Sequence, residues 1–324
     1  MPTEESPSGR DSGAPAMDAP VTVIIPVYNG SQTLPALAAR LDAVLALHSE
    51  VIFVDDASPD DSWRIIKGIV ECRSGWSGIQ LGRNSGQHGA LLAGIRAAHH
   101  DIIVTMDDDL QHRPEDLPAL VGALGADTDL VYGVSRIEEH DATRSLASRL
   151  VKRMMARSLR VPYASDISAL RCFRADLRGG FAQVNDPYVS IDVLLSWSTN
   201  RVAAVEVDMD ARTIGASGYT LRRLIRHTAN MVTGYSVAPL RLVAIVGLVF
   251  GMLGFGSLAY VVGRWALGGA SVPGFTFLAA LLSLIGGTQM LAVAVIGEYL
   301  GHVHFRTMQR PSYVVRTVVD GRSV

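Results

Sequence analysis

Cysteine is nearly absent from this 324-residue chain: only Cys72 and Cys172 occur. Neither sits in a CxxC or beside a histidine pair, which argues against a zinc site and fits a reduced, cytosolic compartment with two ordinary thiols. A dominant charge sign is missing too. The 29 Lys and Arg face 31 Asp and Glu, so no global field points to nucleic acid. No GxGxxG follows the first apolar run and no GxxxxGK(S/T) occurs, which removes support from dinucleotide and P-loop readings. Residues 1–20 lack an apolar core and are rich in Pro, Ser, Gly and acids; they read as a disordered tail rather than a signal peptide.

Long apolar runs are scarce before residue 240 and concentrated after it, which accounts for a mean hydropathy of +0.25. Residues 242–263 carry no charge, and 275–297 are interrupted only by Thr276, Ser283, Thr288 and Gln289. Each is long enough to cross a hydrocarbon core of ~30 Å. The link between them holds Pro273 and several glycines, which suits a hairpin. Arg222, Arg223, Arg226 and Arg241 precede the first run; Arg306, Arg310 and Arg316 follow the second; the tip has only Arg264. Positive residues mark the cytoplasmic side, so both ends are expected there. Between Thr220 and Ser236, Leu221, Leu224, Ile225 and Met231 fall near one helical face, as in an amphipathic helix lying on anionic lipid. Gly247 and Gly251, with Gly286 and Gly287, would let the helices approach closely.

The first part of the chain alternates strand and helix. Val21–Val27 is a buried strand ended by a turn, and Leu34, Leu37, Leu41, Val44 and Leu45 recur at helical spacing. Val51–Val54 is a second strand, followed by a helix over 62–70. Ile79–Leu81, Ile102–Met106 and Leu130–Val134 complete the strands, with a helix over 89–98. Such alternation predicts an α/β fold with a mostly parallel, doubly wound sheet, whose ligands bind beyond the carboxyl ends of the strands. Tyr28-Asn29, Asp55-Asp56 and Asp107-Asp108-Asp109 all fall at those ends. Asp107 and Asp109 project the same way on an extended chain, with Gln111 next. Their oxygens are hard ligands, suited to a Mg²⁺ or Mn²⁺ that keeps phosphate oxygens in its shell.

The blocks VTVIIPVYNG (21–30), VIFVDDASPDDS (51–62), LGRNSGQHGALLAGIRAA (81–98), IIVTMDDDLQHRPED (102–116), RTIGASGYTLRRLIRH (212–227) and IGEYLGHVHFRTMQRPSYVV (296–315) together resemble the family-2 glycosyltransferases of GT-A fold. The nearest branch is that of dolichol-phosphate mannose synthase and the bacterial polyprenyl-phosphate glycosyltransferases with two C-terminal spans. The resemblance implies inverting transfer of a sugar from a UDP- or GDP-sugar to polyprenyl (undecaprenyl) phosphate. It implies that Asp107, Asp109 and Gln111 hold the metal and diphosphate, with Asp109 catalytic. Pro26, Tyr28, Asp55 and Asp56 would surround the nucleoside, and Arg83, Asp108 and the Asn84–His88 turn would line the donor pocket. Arg212 and Arg222 would act in catalysis, with Ser217, Tyr219 and Arg223 receiving the acceptor phosphate.

The implied layout is a tail (1–20), a GT-A domain (21–215), a juxtamembrane amphipathic helix (216–240), two transmembrane helices (241–300) and a cytoplasmic C-terminal tail (301–324). The whole would sit in the plasma (inner) membrane with its catalytic domain cytoplasmic, and the branch often forms small homo-oligomers. Two positions depart from the pattern: Gly30 stands where many relatives carry Glu, and Gly218 where mannose-synthase-like members often carry Lys. A processive polysaccharide synthase is the nearest rival, but no QxxRW occurs; Arg264-Trp265 lacks the Gln. A non-catalytic membrane scaffold or lipid carrier is the rival from another class, and Asp107, Asp109 and Gln111 argue against it.

Overall fold

A computed structural model of the chain describes residues 19–135, 167–182, 184, 189–210, 238–267, 274–308 and 311–321. Its centre is a strand, β1 (Thr22–Val27), buried along its whole length. Burial on both faces explains why this strand reads as an unbroken apolar run rather than an alternation. Val23, Ile25 and Val27 join one core with Leu34, Leu37 and Leu41 of α1 (Leu34–Val44) and Ile66 and Val70 of α2 (Ser62–Glu71). Ile24 points the other way, into a second core with Ala90, Leu91 and Ile95 of α3 (Gln87–Ala97). Helices thus cover both faces.

β2 (Glu50–Asp55) and β3 (Trp76–Leu81) lie to one side of β1, all parallel. The chain then returns to place β4 (Ile102–Thr105) parallel to β1 on its other side. The direction of winding therefore reverses between β1 and β4, and the crevice at their carboxyl ends is the switch point where such folds take ligands. Beyond β4 come β6 (Arg171–Arg174), β5 (Leu130–Ser135) and β7 (Val202–Val207), and beyond β3 comes β8 (Val315–Asp320), in the order β7-β5-β6-β4-β1-β2-β3-β8. β6 runs antiparallel to both its neighbours. The sheet is thus mixed, mostly parallel where the site lies. A short helix α4 (Leu117–Gly122) follows β4, and α5 (Ile191–Ser198) packs in the second core.

The glycine at 94 sets how closely α3 approaches the sheet, since a Cβ there would overlap Ile24 Cγ2 and meet Val54 Cγ2 at 3.2 Å. Gly94→Val is expected to destabilise the protein by ~1–3 kcal/mol through overpacking, read as a lower midpoint in chemical unfolding.

Two long helices follow, α6 (Ala238–Ala266) and α7 (Phe275–Thr307). In α7, residues Leu284–Gly301 are long and apolar enough to cross a membrane and are wholly unburied by the rest of the chain. The comparable stretch of α6, Val243–Gly256, is shorter.

The C-terminal region departs from the expected tail over 301–324. α7 runs on to Thr307, and β8 (Val315–Asp320) adds to the open edge of the sheet, antiparallel to β3. Its sequence VRTVVD gives only a weak alternation, because an edge strand buries little side chain; the pairing comes from main-chain hydrogen bonds that β3 offers. The expected N-terminal tail, up to residue 18, and the amphipathic segment lie outside the described residues.

Candidate active site

Two turns close the carboxyl ends of β1 and β2, and each pins the other. Asn29 N–H donates to Ser58 Oγ at 3.2 Å, Gly30 N–H to Ser62 Oγ at 2.9 Å, and Ser31 N–H to Asp60 Oδ2 at 3.2 Å. Asp60 also accepts from the Ser62 amide and hydroxyl, which ties it to the first residue of α2. Asn29 (φ 59°) and Ala57 (φ 55°) take left-handed backbone here, a conformation that only a cross-braced turn holds readily in a non-glycine residue.

The paired aspartates at the end of β2 have separate duties. Asp55 is fully buried and accepts from Ser58 N–H and Gln80 Nε2 at 3.2 and 3.3 Å. It is not among the residues that line the cavity. Asp56 does face the cavity, and its carboxylate accepts Ser85 N–H at 2.6 Å and Gly86 N–H at 2.8 Å. Burial pushes its pKa upward, against the pull of those two amides.

The cavity itself, about 190 Å³, opens at the switch point between β1 and β4. It is lined by Pro26, Val27 and Tyr28 from the end of β1, by Asp107, Asp108 and Asp109 after β4, and by Asp56, Gln87 and Ala90. Gln87 Nε2 donates to Asp107 Oδ1 at 2.5 Å, and Asp109 Oδ1 accepts from Gln111 N–H at 3.1 Å. Asp108 Oδ2 is buried without a hydrogen-bond partner among the described residues. Burial, then its two neighbours, push this carboxyl up to about 7. A Cβ on residue 30 would collide with that same oxygen, so glycine at 30 leaves the space that Asp108 fills.

Among the described residues no three His, Cys, Asp or Glu converge as a ready-made metal cage. Two flanking carboxylates on a cavity wall fit instead the way Mg²⁺ and Mn²⁺ bind beside substrate phosphates, with one or two protein oxygens and the rest from phosphate and water. Gln111 is not on the wall, and its carbonyl accepts from Asp210 N–H at 2.9 Å.

Behind the acidic run lies a buried ion pair that sequence reasoning missed. Arg171 Nε and Nη2 donate to the two oxygens of Asp192 at 2.6 and 2.9 Å, and Tyr132 Oη donates to Asp192 Oδ1 at 3.1 Å. Arg171 also donates to Thr105 Oγ1 at the end of β4. Burial works against the charge on Arg171, but Asp192 outweighs it, and Asp107 adds to the attraction. An arginine in a four-residue strand was the available signal. His112, one residue beyond Gln111, is buried and bridges Met209; burial holds its pKa below the usual value.

The sequence-predicted set is thus partly assembled. Pro26, Tyr28, Asp56, Asp107, Asp108 and Asp109 share one cavity, and Gln87, within the expected Asn84–His88 turn, joins them. Arg83 turns away, its Nη2 donating to Pro311 O at 3.0 Å. Arg212, Ser217, Tyr219, Arg222 and Arg223 lie outside the described residues.

A doubly wound sheet with an acidic strand end at its switch point defines a nucleotide-binding α/β domain. The profile described as "Glycosyl transferase family 2" matches residues 22–177, which span every wall of this cavity. Undecaprenyl-phosphate 4-deoxy-4-formamido-L-arabinose transferase from Klebsiella pneumoniae subsp. pneumoniae is 33% identical over 305 residues, covering 92% of this chain and 93% of that protein. The protein of the same description from Aeromonas hydrophila subsp. hydrophila is 33% identical over 306 residues, covering 92% and 94%. Among solved structures, glucosyl-3-phosphoglycerate synthase from Mycobacterium tuberculosis, in complex with Mn²⁺, UDP and glucosyl-3-phosphoglycerate, superposes with a TM-score of 0.51 at 19% identity, over 66% of this chain and 77% of that one. The chain belongs to glycosyl transferase family 2.

Proposed function

We propose that this protein transfers a sugar, with inversion, from a nucleotide-sugar to the phosphate of a polyprenyl lipid, releasing nucleoside diphosphate. The observation that carries the reading is the reach of the likeness. The family profile stops at residue 177, but the likeness to the undecaprenyl-phosphate transferases covers 92% of the chain. It therefore takes in the long C-terminal helices as well as the donor cavity, and a lipid acceptor is what those helices are suited to meet.

In this reading Tyr28 and Asp56 border the nucleoside, and Asp107 and Asp109 face the diphosphate. A bound Mg²⁺ or Mn²⁺, held by Asp107 and Asp109, would neutralise the departing diphosphate; the Mn²⁺ and UDP in the superposed mycobacterial enzyme are consistent with that. Gln87 fixes Asp107 in place through its amide. The nucleophile is a phosphate oxygen, ionised at neutral pH, so no side chain is needed as a strong general base. The protein's share is position and charge. Arg212 and Arg222, with Ser217, Tyr219 and Arg223, are proposed to receive the lipid phosphate. In support, the described chain reaches Asp210 against Gln111, and Arg212 follows by two residues. Arginine's planar fork suits phosphate.

The same reading has α6 and α7 form a transmembrane hairpin, with the sheet cytoplasmic. Support comes from β8. It pairs with β3, so the chain entering α6 and the chain leaving α7 share one side. A crossing by α7 alone would strand β8 across the bilayer, and α6 is the apolar helix that would supply a second crossing.

Purified protein in detergent, given undecaprenyl phosphate, Mg²⁺ or Mn²⁺ and a panel of nucleotide-sugars, is expected to move one sugar into the lipid phase. Chelation with EDTA should abolish transfer, and restoring the cation should recover it. Nucleoside diphosphate release only with a different acceptor would refute the lipid-phosphate assignment.

A further inference from the structure

The segment from Pro311 to Val314 leads from α7 into β8 and lies along the turn at 82–89. Besides the Arg83 bond to Pro311 O, Gly82 N–H donates to Val314 O at 2.8 Å. Ser312 is almost wholly buried, and its carbonyl stands 3.4 Å from where a Cβ on Gly89 would sit. Tyr313 packs on the second core with its ring 5.6 Å from the Arg96 guanidinium. Arg96 in turn donates to Ala182 O and Val184 O at 2.9 and 2.8 Å, so this corner is knitted from three parts of the chain.

The same turn also braces residues that line the cavity. Ser85 and Gly86 present their amides to Asp56, and Gln87 holds Asp107. Gly86 has φ 80°, and residues 82–86 join β3 to α3 outside the regular elements. Gly82 and Arg83 bond to the 311–314 segment, and Gly89 lies close to Ser312.

We infer that Pro311–Tyr313 is a positioning strap for the donor cavity, holding the Arg83–Gln87 turn so that Asp56 and Asp107 are set before the donor arrives. This rests on the reading of that cavity as the nucleotide-sugar site. A turn ordered in advance spends no affinity on ordering itself. The strap also begins four residues after α7 ends at Thr307, so the helix nearest the lipid is tied by a short tether to the donor-binding turn. Arg83 then acts through Asp56 and Gln87, as a positioning residue rather than a donor contact.

The test uses the full chain in detergent with Tyr313→Ala, Arg83→Ala and the double variant. Hydrogen exchange at amides 85–87 of the unliganded protein is expected to quicken about tenfold or more in each, since exchange reads local opening directly. UDP or GDP with Mn²⁺, whichever the unaltered chain binds, is expected to bind about tenfold more weakly in each single variant. The double variant should be no weaker than the weaker single, because one restraint is being removed twice. Exchange at the unaltered rate in Tyr313→Ala overturns the strap. So does weakened nucleotide binding in Arg83→Ala alone, which would make Arg83 a direct donor contact. Should Tyr313→Ala fail to fold, Arg83→Ala, whose side chain is partly exposed, carries the exchange test, and unchanged exchange there overturns the inference. If the unaltered chain binds neither nucleotide, the cavity reading fails, and the exchange measurement still decides the strap.

Discussion

Asp109→Asn is expected to lower sugar transfer by about 10³-fold or more, the scale on which a group that stabilises transition-state charge is lost. Asparagine is the sharper choice than alanine. Asp109 Oδ1 accepts the Gln111 amide, and the asparagine carbonyl preserves that bond while removing the charge. The loss is therefore assigned to the cation and diphosphate rather than to a collapsed turn. Asp109 lies on the cavity wall and outside both hydrophobic cores, so thermal unfolding should be unchanged. Asp109→Ala should lose at least as much activity. Full turnover in the asparagine variant, measured as radiolabelled sugar entering the lipid phase, would remove Asp109 from the chemistry.

The second large effect is on stability. Asp192→Ala is expected to cost ~3–5 kcal/mol, because it leaves the Arg171 charge buried without its partner. The side chains of this pair are only 4% and 10% exposed, so solvent does little to screen the loss. Arg171→Met with Asp192→Leu should recover most of it, since replacing both charges removes the uncompensated one. Tyr132→Phe should then recover more by removing the orphaned hydroxyl. The pair also gives a pH signature. Burial alone would raise the Asp192 pKa, but Arg171 and Tyr132 hold it below the usual carboxylate value. A depressed folded pKa means this contribution is present above the unfolded-state value and fades as pH falls through the folded one. Chemical unfolding midpoints should therefore drop with acid in the unaltered protein and less steeply in the Met/Leu double variant.

The parts of the fold that could be read from sequence are those whose local pattern and tertiary role agree. β1, β2, β4 and β5 are short apolar runs ended by turn residues, and α1 and α2 carry apolar side chains at helical spacing. The acidic strand end was legible because its position after a buried strand, not its composition, pointed to the switch point. β6 was not. Its arginines look like surface residues until Asp192, brought from α5, is seen to neutralise one of them in the core. Asp55 and Asp56 are identical and adjacent, and only the alternation of a strand end decides which faces the cavity. Gln87 and Arg83 belong to one loop block, yet one points inward to Asp107 and the other outward to Pro311. That division depends on a segment more than two hundred residues later, which no local pattern encodes.

The pairing of β8 with β3 fixes when the sheet can be finished. β3 ends at Leu81, and its outer partner begins only at Val315, so the nascent chain carries an open edge throughout synthesis of everything between. Open edges invite pairing with other chains. β8 follows both long helices in the chain, so this edge stays open until they have been made. A chain that lacks residues 315–320 keeps the β3 edge exposed. Docking of β8 covers the β3 edge with a short strand that carries Arg316 and Asp320, charges that discourage a further strand from pairing.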